Sequence, residues 1–108
     1  GKREEGEEGM KLVVTEHAWS SLADLTDYWS SFRSPDWIDE QVTELWEVVD
    51  WLLENPTAGQ FEDQLQELGL GHRRWVFGDL KIVYRLVGKQ FIITDFFDSR
   101  QDPRRMKA

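Results

Sequence analysis

Residues 72–97 read HRRWVFGDLKIVYRLVGKQFIITDFF, and this stretch decides the fold. Two turn pairs, Gly78-Asp79 and Gly88-Lys89, cut it into three runs rich in β-branched and aromatic residues. Glycine tolerates the positive φ of a two-residue hairpin turn, so the runs predict a β-meander. In the middle run Leu80, Ile82, Tyr84 and Leu86 alternate with Lys81, Val83, Arg85 and Val87. A strand sends successive side chains to opposite faces, which predicts that the first set lies on a core and the second on the other face. By the same alternation Trp75 and Phe77 belong with the core, and His72 and Arg74 with Lys81 and Arg85.

Upstream the period changes from two to between three and four. Ala18, Leu22, Leu25, Trp29 and Phe32 fall on one helical face, after a short β-branched run KLVVT whose Thr15 is suited to cap the helix. Ser34-Pro35-Asp36 supplies a second cap, a preset first turn and a negative charge at the positive end of the helix dipole. The stripe Ile38, Val42, Leu45, Val49 and Leu52, widened by Trp46 and Leu53, then runs until Asn55-Pro56 removes a backbone donor. Thr57 to Gly71 reads as a glycine-punctuated, mobile connection with one or two helical turns in its middle. The order is therefore βααβββ: an α+β fold of two layers, a helical hairpin packed on one face of a small, mainly antiparallel sheet. Residues 10–108 are expected to form this single domain. Gly1 to Gly9 has no apolar residue and is expected to be a disordered tail, added ahead of Met10.

Composition narrows the chemistry. The chain of 108 residues has no cysteine, which excludes disulfides and thiolate metal sites, and His17 and His72 are its only imidazoles. No metal or cofactor is expected. No apolar run approaches the roughly 20 residues that span a bilayer, so the expected setting is the cytoplasm, away from membranes. The net charge of −8 is unevenly spread: −2 over residues 1–9, −11 over 10–70 and +5 over 71–108. A basic C-terminal part on an acidic chain can still hold phosphates, because counterion release depends on clustered Lys and Arg. His72, Arg74, Lys81 and Arg85 on the face away from the helices, joined by Arg100, Arg104 and Arg105, would make a basic concavity. The plainer expectation is a solvated sheet face on which Lys and Arg are ordinary residues. Six tryptophans exceed what a small core normally holds, which suggests that some anchor a partner.

Together the segments KLVVTEHAWSSLADLTDYW, a second helix ending in ENP, and GHRRWVFGDLKIVYRLVGKQFIITDFFDSRQDP resemble the RelE/ParE superfamily of bacterial type II toxin-antitoxin toxins. The resemblance runs from Met10 to about Lys107. It implies a toxin that arrests growth, checked by a cognate antitoxin, either as an mRNA interferase that cuts messenger RNA on the ribosome or as an inhibitor of DNA gyrase. For the ribonuclease it implies Arg74, Lys81 and Arg100 as catalytic residues, with His72, Arg85, Arg104 and Arg105 on phosphates. The 2′-oxygen must then attack the adjacent phosphate with help from a base, an acid and charge stabilisation. Lys81, unlike an arginine, can give up its proton and is the candidate base. Two departures shift the expectation toward gyrase or an unfamiliar target: Met106 stands where the ribonucleases often carry an aromatic ring, and the chain is acidic overall. The alternative is a non-toxic protein-interaction module that keeps this fold. Target, antitoxin and oligomeric state are not legible in the sequence.

Overall fold

The computed structural model describes residues 9–108. The tail expected over residues 1–9 lies, apart from Gly9, outside the described residues. In chain order the elements are β1 (Lys11–Val14), α1 (Glu16–Ser30), α2 (Pro35–Glu54), β2 (Gln60–Phe61), β3 (Arg73–Phe77), β4 (Leu80–Val87) and β5 (Gln90–Asp98). Short 3-10 turns occupy Asp63–Leu68 and Pro103–Arg105. The strands form one sheet in the order β1-β5-β4-β3-β2, antiparallel throughout except for β1, which lies parallel to β5.

The helix ends form where side chains satisfy free backbone amides. Thr15 accepts from the Ala18 amide and Ser34 from the Trp37 amide, both at 3.1 Å, and Pro35 opens α2. Ala18, Leu22 and Leu25 of α1 and Leu45, Val49 and Leu52 of α2 are buried against Leu80, Ile82, Tyr84, Phe91, Ile93 and Phe96. Burying each such aliphatic or aromatic side chain is worth about 1.5–3 kcal/mol. Phe32, expected in the stripe of α1, lies beyond its end: Ser31 closes the helix and the ring is 54% exposed.

The sheet departs from expectation on two counts. The segment expected as a mobile connection contributes β2, pairing Gln60 with Arg74 and Phe61 with Arg73. Two residues are too few for any alternation to register. The face away from the helices is also not open along its centre. Val83, expected there in solvent, is fully buried in a second small core with Leu65, Phe97 and Met106. The Asp63–Leu68 turn supplies Leu65, and the segment after β5 supplies Met106. A bulge between Val83 and Tyr84 keeps Phe96 and Ile93 of β5 on the helix side while Phe97 pairs with Lys81 on the far side.

Candidate functional site

The far face is built around Val83, whose cross-strand neighbour is Arg74; Lys81, next on that face of β4, pairs with Val76. Both cations reach toward one carboxylate. Glu62, just past β2, is only 4% exposed, and its Oε1 lies 3.6 Å from Arg74 Nη1 and 3.6 Å from Lys81 Nζ. Its Oε2 accepts from the Gln64 amide at 2.8 Å, which caps the 3-10 turn, and its own amide donates to His72 O at 2.9 Å. Arg74 also donates to Phe61 O at 2.6 Å and to Gln60 Oε1 at 3.1 Å.

His72 and Arg85 complete this cluster. His72 is 2% exposed, and among the described residues neither ring nitrogen has a hydrogen-bond partner; Arg85 Nε is likewise buried without one. Burial, reinforced by the nearby Arg85 charge, holds the His72 imidazole below its ordinary value and so in its neutral form. Two cations thus share the Glu62 carboxylate, and Arg85 stands near the neutral imidazole of His72. Arg73, on the other parity, serves the scaffold: it donates to Thr57 O and Gly59 O and lies over the Phe61 ring at 4.1 Å.

Arg100 lies elsewhere. It follows the end of β5, where Asp98 pairs with Leu80 on the helix side, and it grips Asp98 in a fork, Nε to Oδ1 at 2.9 Å and Nη2 to Oδ2 at 2.8 Å. The pair holds the Asp98 carboxyl below the usual range and pushes the Arg100 guanidinium up. The guanidinium also sits 5.4 Å from the Tyr28 ring of α1. Arg104 is bound in the same way by Asp102, at 2.6 Å. Arg100, Arg104 and Arg105 line one cleft of about 730 Å³ between α1 and the C-terminal segment, together with His17, Tyr28 and Asp95. Asp95 ties that segment down: it accepts from the Lys107 amide at 3.0 Å and stands 3.4 Å from His17 Nε2. The structure therefore brings Arg74 and Lys81 together over Glu62, with His72 and Arg85 beside them, and gathers Arg100, Arg104 and Arg105 separately. Arg100 shares no partner with Arg74 or Lys81.

No protein-family model matches this chain, and no curated protein matches it in sequence. Solved structures do. One, described as the chromosomal ParDE TA system from P. aeruginosa, superposes with a TM-score of 0.67 at 22% identity, covering 81% of this chain and 92% of that one. The chain has the fold of that ParDE chain. The expectation of a RelE/ParE-like fold is thereby met in architecture, from a helical hairpin on a mixed sheet. Within this ParDE-like fold, sequence reasoning missed Glu62 and Asp98. Glu62 gave no signal because it sits in a run, FEDQLQEL, with three acidic residues and no strand pattern. Asp98 was findable: an acid two residues before an arginine at the end of a strand is a short-range ion pair in waiting. Met106, noted only as a missing ring, is a core residue, 6% exposed. Among the tryptophans, Trp19 and Trp51 are the exposed ones, at 52% and 48%.

Proposed function

We propose that this chain is a cytoplasmic toxin of the RelE/ParE superfamily, one half of a type II toxin-antitoxin pair, and that it arrests growth by inhibiting DNA gyrase rather than by cleaving messenger RNA. The shared fold with the ParDE chain supports the toxin assignment. The choice of target rests on one observation: Arg74 and Lys81 are engaged by a buried Glu62, while Arg100 is forked onto Asp98 beside α1. Cleavage at a phosphodiester needs a base, an acid and a charge stabiliser converging within about 3 Å of the reacting atoms. Here Arg74 and Lys81 share one carboxylate and Arg100 is taken by another, which favours the reading without cleavage. No helix among the described residues is long and apolar enough to cross a membrane. The cognate antitoxin would cover part of the exposed aromatic surface, where Trp19 and Trp51 offer anchors.

The test is induction of residues 10–108 in bacteria without antitoxin, following growth, plasmid supercoiling, chromosome breaks and RNA 5′ ends together. Growth arrest with altered supercoiling and breaks, and no early new 5′ ends, is the expected result. New ends inside translated codons would establish the mRNA interferase in its place. Normal growth would leave the fold serving as a protein-interaction module.

A further inference from the structure

The end of the helical hairpin where α1 gives way to α2 gathers rings that the core does not cover. Trp29 meets Trp37 edge-on, with centroids 5.2 Å apart, and Phe32 stands edge-on to Tyr28 at 5.1 Å. Trp29 and Trp37 are half-buried, whereas Tyr28 and Phe32 are exposed. Together with Phe77 at the end of β3, Trp29, Phe32 and Trp37 line a hollow of about 190 Å³, with the buried Leu25 and Leu80 in the same lining. An apolar cavity of about 150 Å³ takes one benzene ring, so this hollow has room for one phenyl side chain.

A cation waits beside it. The Arg33 guanidinium lies 4.5 Å from the Trp37 centroid and 5.5 Å from that of Phe32. No carboxylate among the described residues pairs with it. Asp79 and Asp98 also line the hollow, but both act on Arg100, which Asp98 holds in its fork. Stacking on two rings restrains the planar group of Arg33 and leaves its N–H donors open, so it is placed in advance for a carboxylate from outside.

This surface is separate from Trp19 and Trp51. Trp29 follows Trp19 by ten positions of α1 and Trp51 follows Trp37 by fourteen of α2. At 1.5 Å per residue those are about 15 and 21 Å along the helices, which puts the hollow at the opposite end of the hairpin.

We propose that the hollow is a docking site for a segment of a protein partner, which inserts one aromatic side chain among the rings and sets a neighbouring carboxylate on Arg33. Aromatic rings and arginines are the groups that anchor protein interfaces, and a ring entering among other rings gains more than its buried area alone gives. The proposal stands apart from the antitoxin anchors and from the identity of the cellular target.

The experiment is an NMR titration of the full chain with two acetylated and amidated tetrapeptides, Gly-Phe-Glu-Gly and Gly-Phe-Gln-Gly, which differ in the charge beside the ring. Both should move the indole N–H signals of Trp29 and Trp37 and the Gly78 amide, and leave the indoles of Trp19 and Trp51 in place. The Glu peptide should bind about threefold more tightly, the size expected of one exposed ion pair. Arg33→Ala, at an exposed residue outside any ion pair, should stay folded and lose that preference. No movement of the Trp29 and Trp37 signals at the highest peptide concentration overturns the proposal. So does equal affinity of the wild-type protein for the two peptides, or a preference that survives Arg33→Ala. Tighter binding of N-acetylphenylalanine than of the Glu peptide would make the occupant a small aromatic acid, and movement of the same signals on concentrating the chain alone would make it a second copy; either result overturns a protein partner.

Discussion

Replacing Tyr84 by Phe removes one oxygen from the centre of the molecule and keeps the ring. The ring is fully buried and stacks on Phe91 with centroids 4.3 Å apart, so the packing should survive. The hydroxyl, however, accepts from the Gly59 amide at 3.0 Å and donates to Pro56 O at 2.7 Å, tying the exit of α2 to β4. Without it the buried Gly59 N–H is orphaned, while the half-buried Pro56 carbonyl can recover a water. A buried unpaired donor costs about 1–3 kcal/mol, so Tyr84→Phe should destabilise by about 2 kcal/mol. In urea, with a slope of about 1–1.5 kcal/mol per M for a domain this size, the midpoint should fall by between about 1 and 2 M. The pH dependence gives a second reading. Burial, the largest influence, pushes the Tyr84 phenol above its ordinary 10.0, against the opposing effects of the Gly59 hydrogen bond and the Arg73 charge. The unfolded chain then ionises first, so this contribution is intact below about pH 10 and declines as pH rises above it. The variant should lack that decline. A midpoint shift under about 0.3 M, or identical alkaline profiles for the two proteins, would refute the reasoning.

Three further outcomes follow from the same contacts. Gly59→Ala places a Cβ 2.6 Å from the Tyr84 hydroxyl and 2.8 Å from the Arg74 carbonyl, and because backbone cannot yield cheaply the variant should lose about 1–3 kcal/mol in thermal or urea unfolding. The His72 imidazole is held neutral in the fold, so wild-type stability should be full above about pH 6.5 and fall as pH drops below it, where the unfolded chain gains the proton first; His72→Leu should flatten that limb in urea midpoints taken between about pH 7 and 5. Arg100→Ala removes the fork to Asp98 and the contact over the Tyr28 ring, both at a half-exposed guanidinium, so the variant should stay folded and lose no more than about 1 kcal/mol in urea unfolding, and a toxicity assay on it isolates any role of the guanidinium.

Much of the architecture is readable because long elements repeat their signals. The alternation of Leu80, Ile82, Tyr84 and Leu86 recurs over a whole strand, and all four pack toward the helices. Thr15, Ser34 and Pro35 act locally, through neighbours in sequence, so their roles follow from spacing. The far face was harder for the opposite reason. Whether Val83 meets water depends on Leu65, eighteen positions away, and Met106, more than twenty away, neither of which carries a periodic signal. A polar alternation predicts only which side a residue is on. What covers that side is a tertiary fact, and here a two-residue strand and a 3-10 turn supply it.

That cover changes what the charge distribution means. The excess of positive charge after residue 70 suggests a strong field reaching into solvent, yet much of it is answered at close range: Arg74 and Lys81 by Glu62, Arg100 by Asp98, Arg104 by Asp102. The last two pairs arise from D-x-R spacing, in which the carboxylate also accepts the arginine's own backbone amide, so each forms a compact, nearly neutral unit. Paired charges separated by about 3 Å look like dipoles beyond a Debye length of about 8 Å, and they steer a polyanion poorly. A chain of net charge −8 with its cations so engaged projects little positive field into solvent. Any binding of nucleic acid by the wild-type protein should therefore weaken little between low and physiological salt, whereas the Glu62→Gln protein, with Arg74 and Lys81 no longer answered by a carboxylate, should show the steeper salt dependence in the same titration.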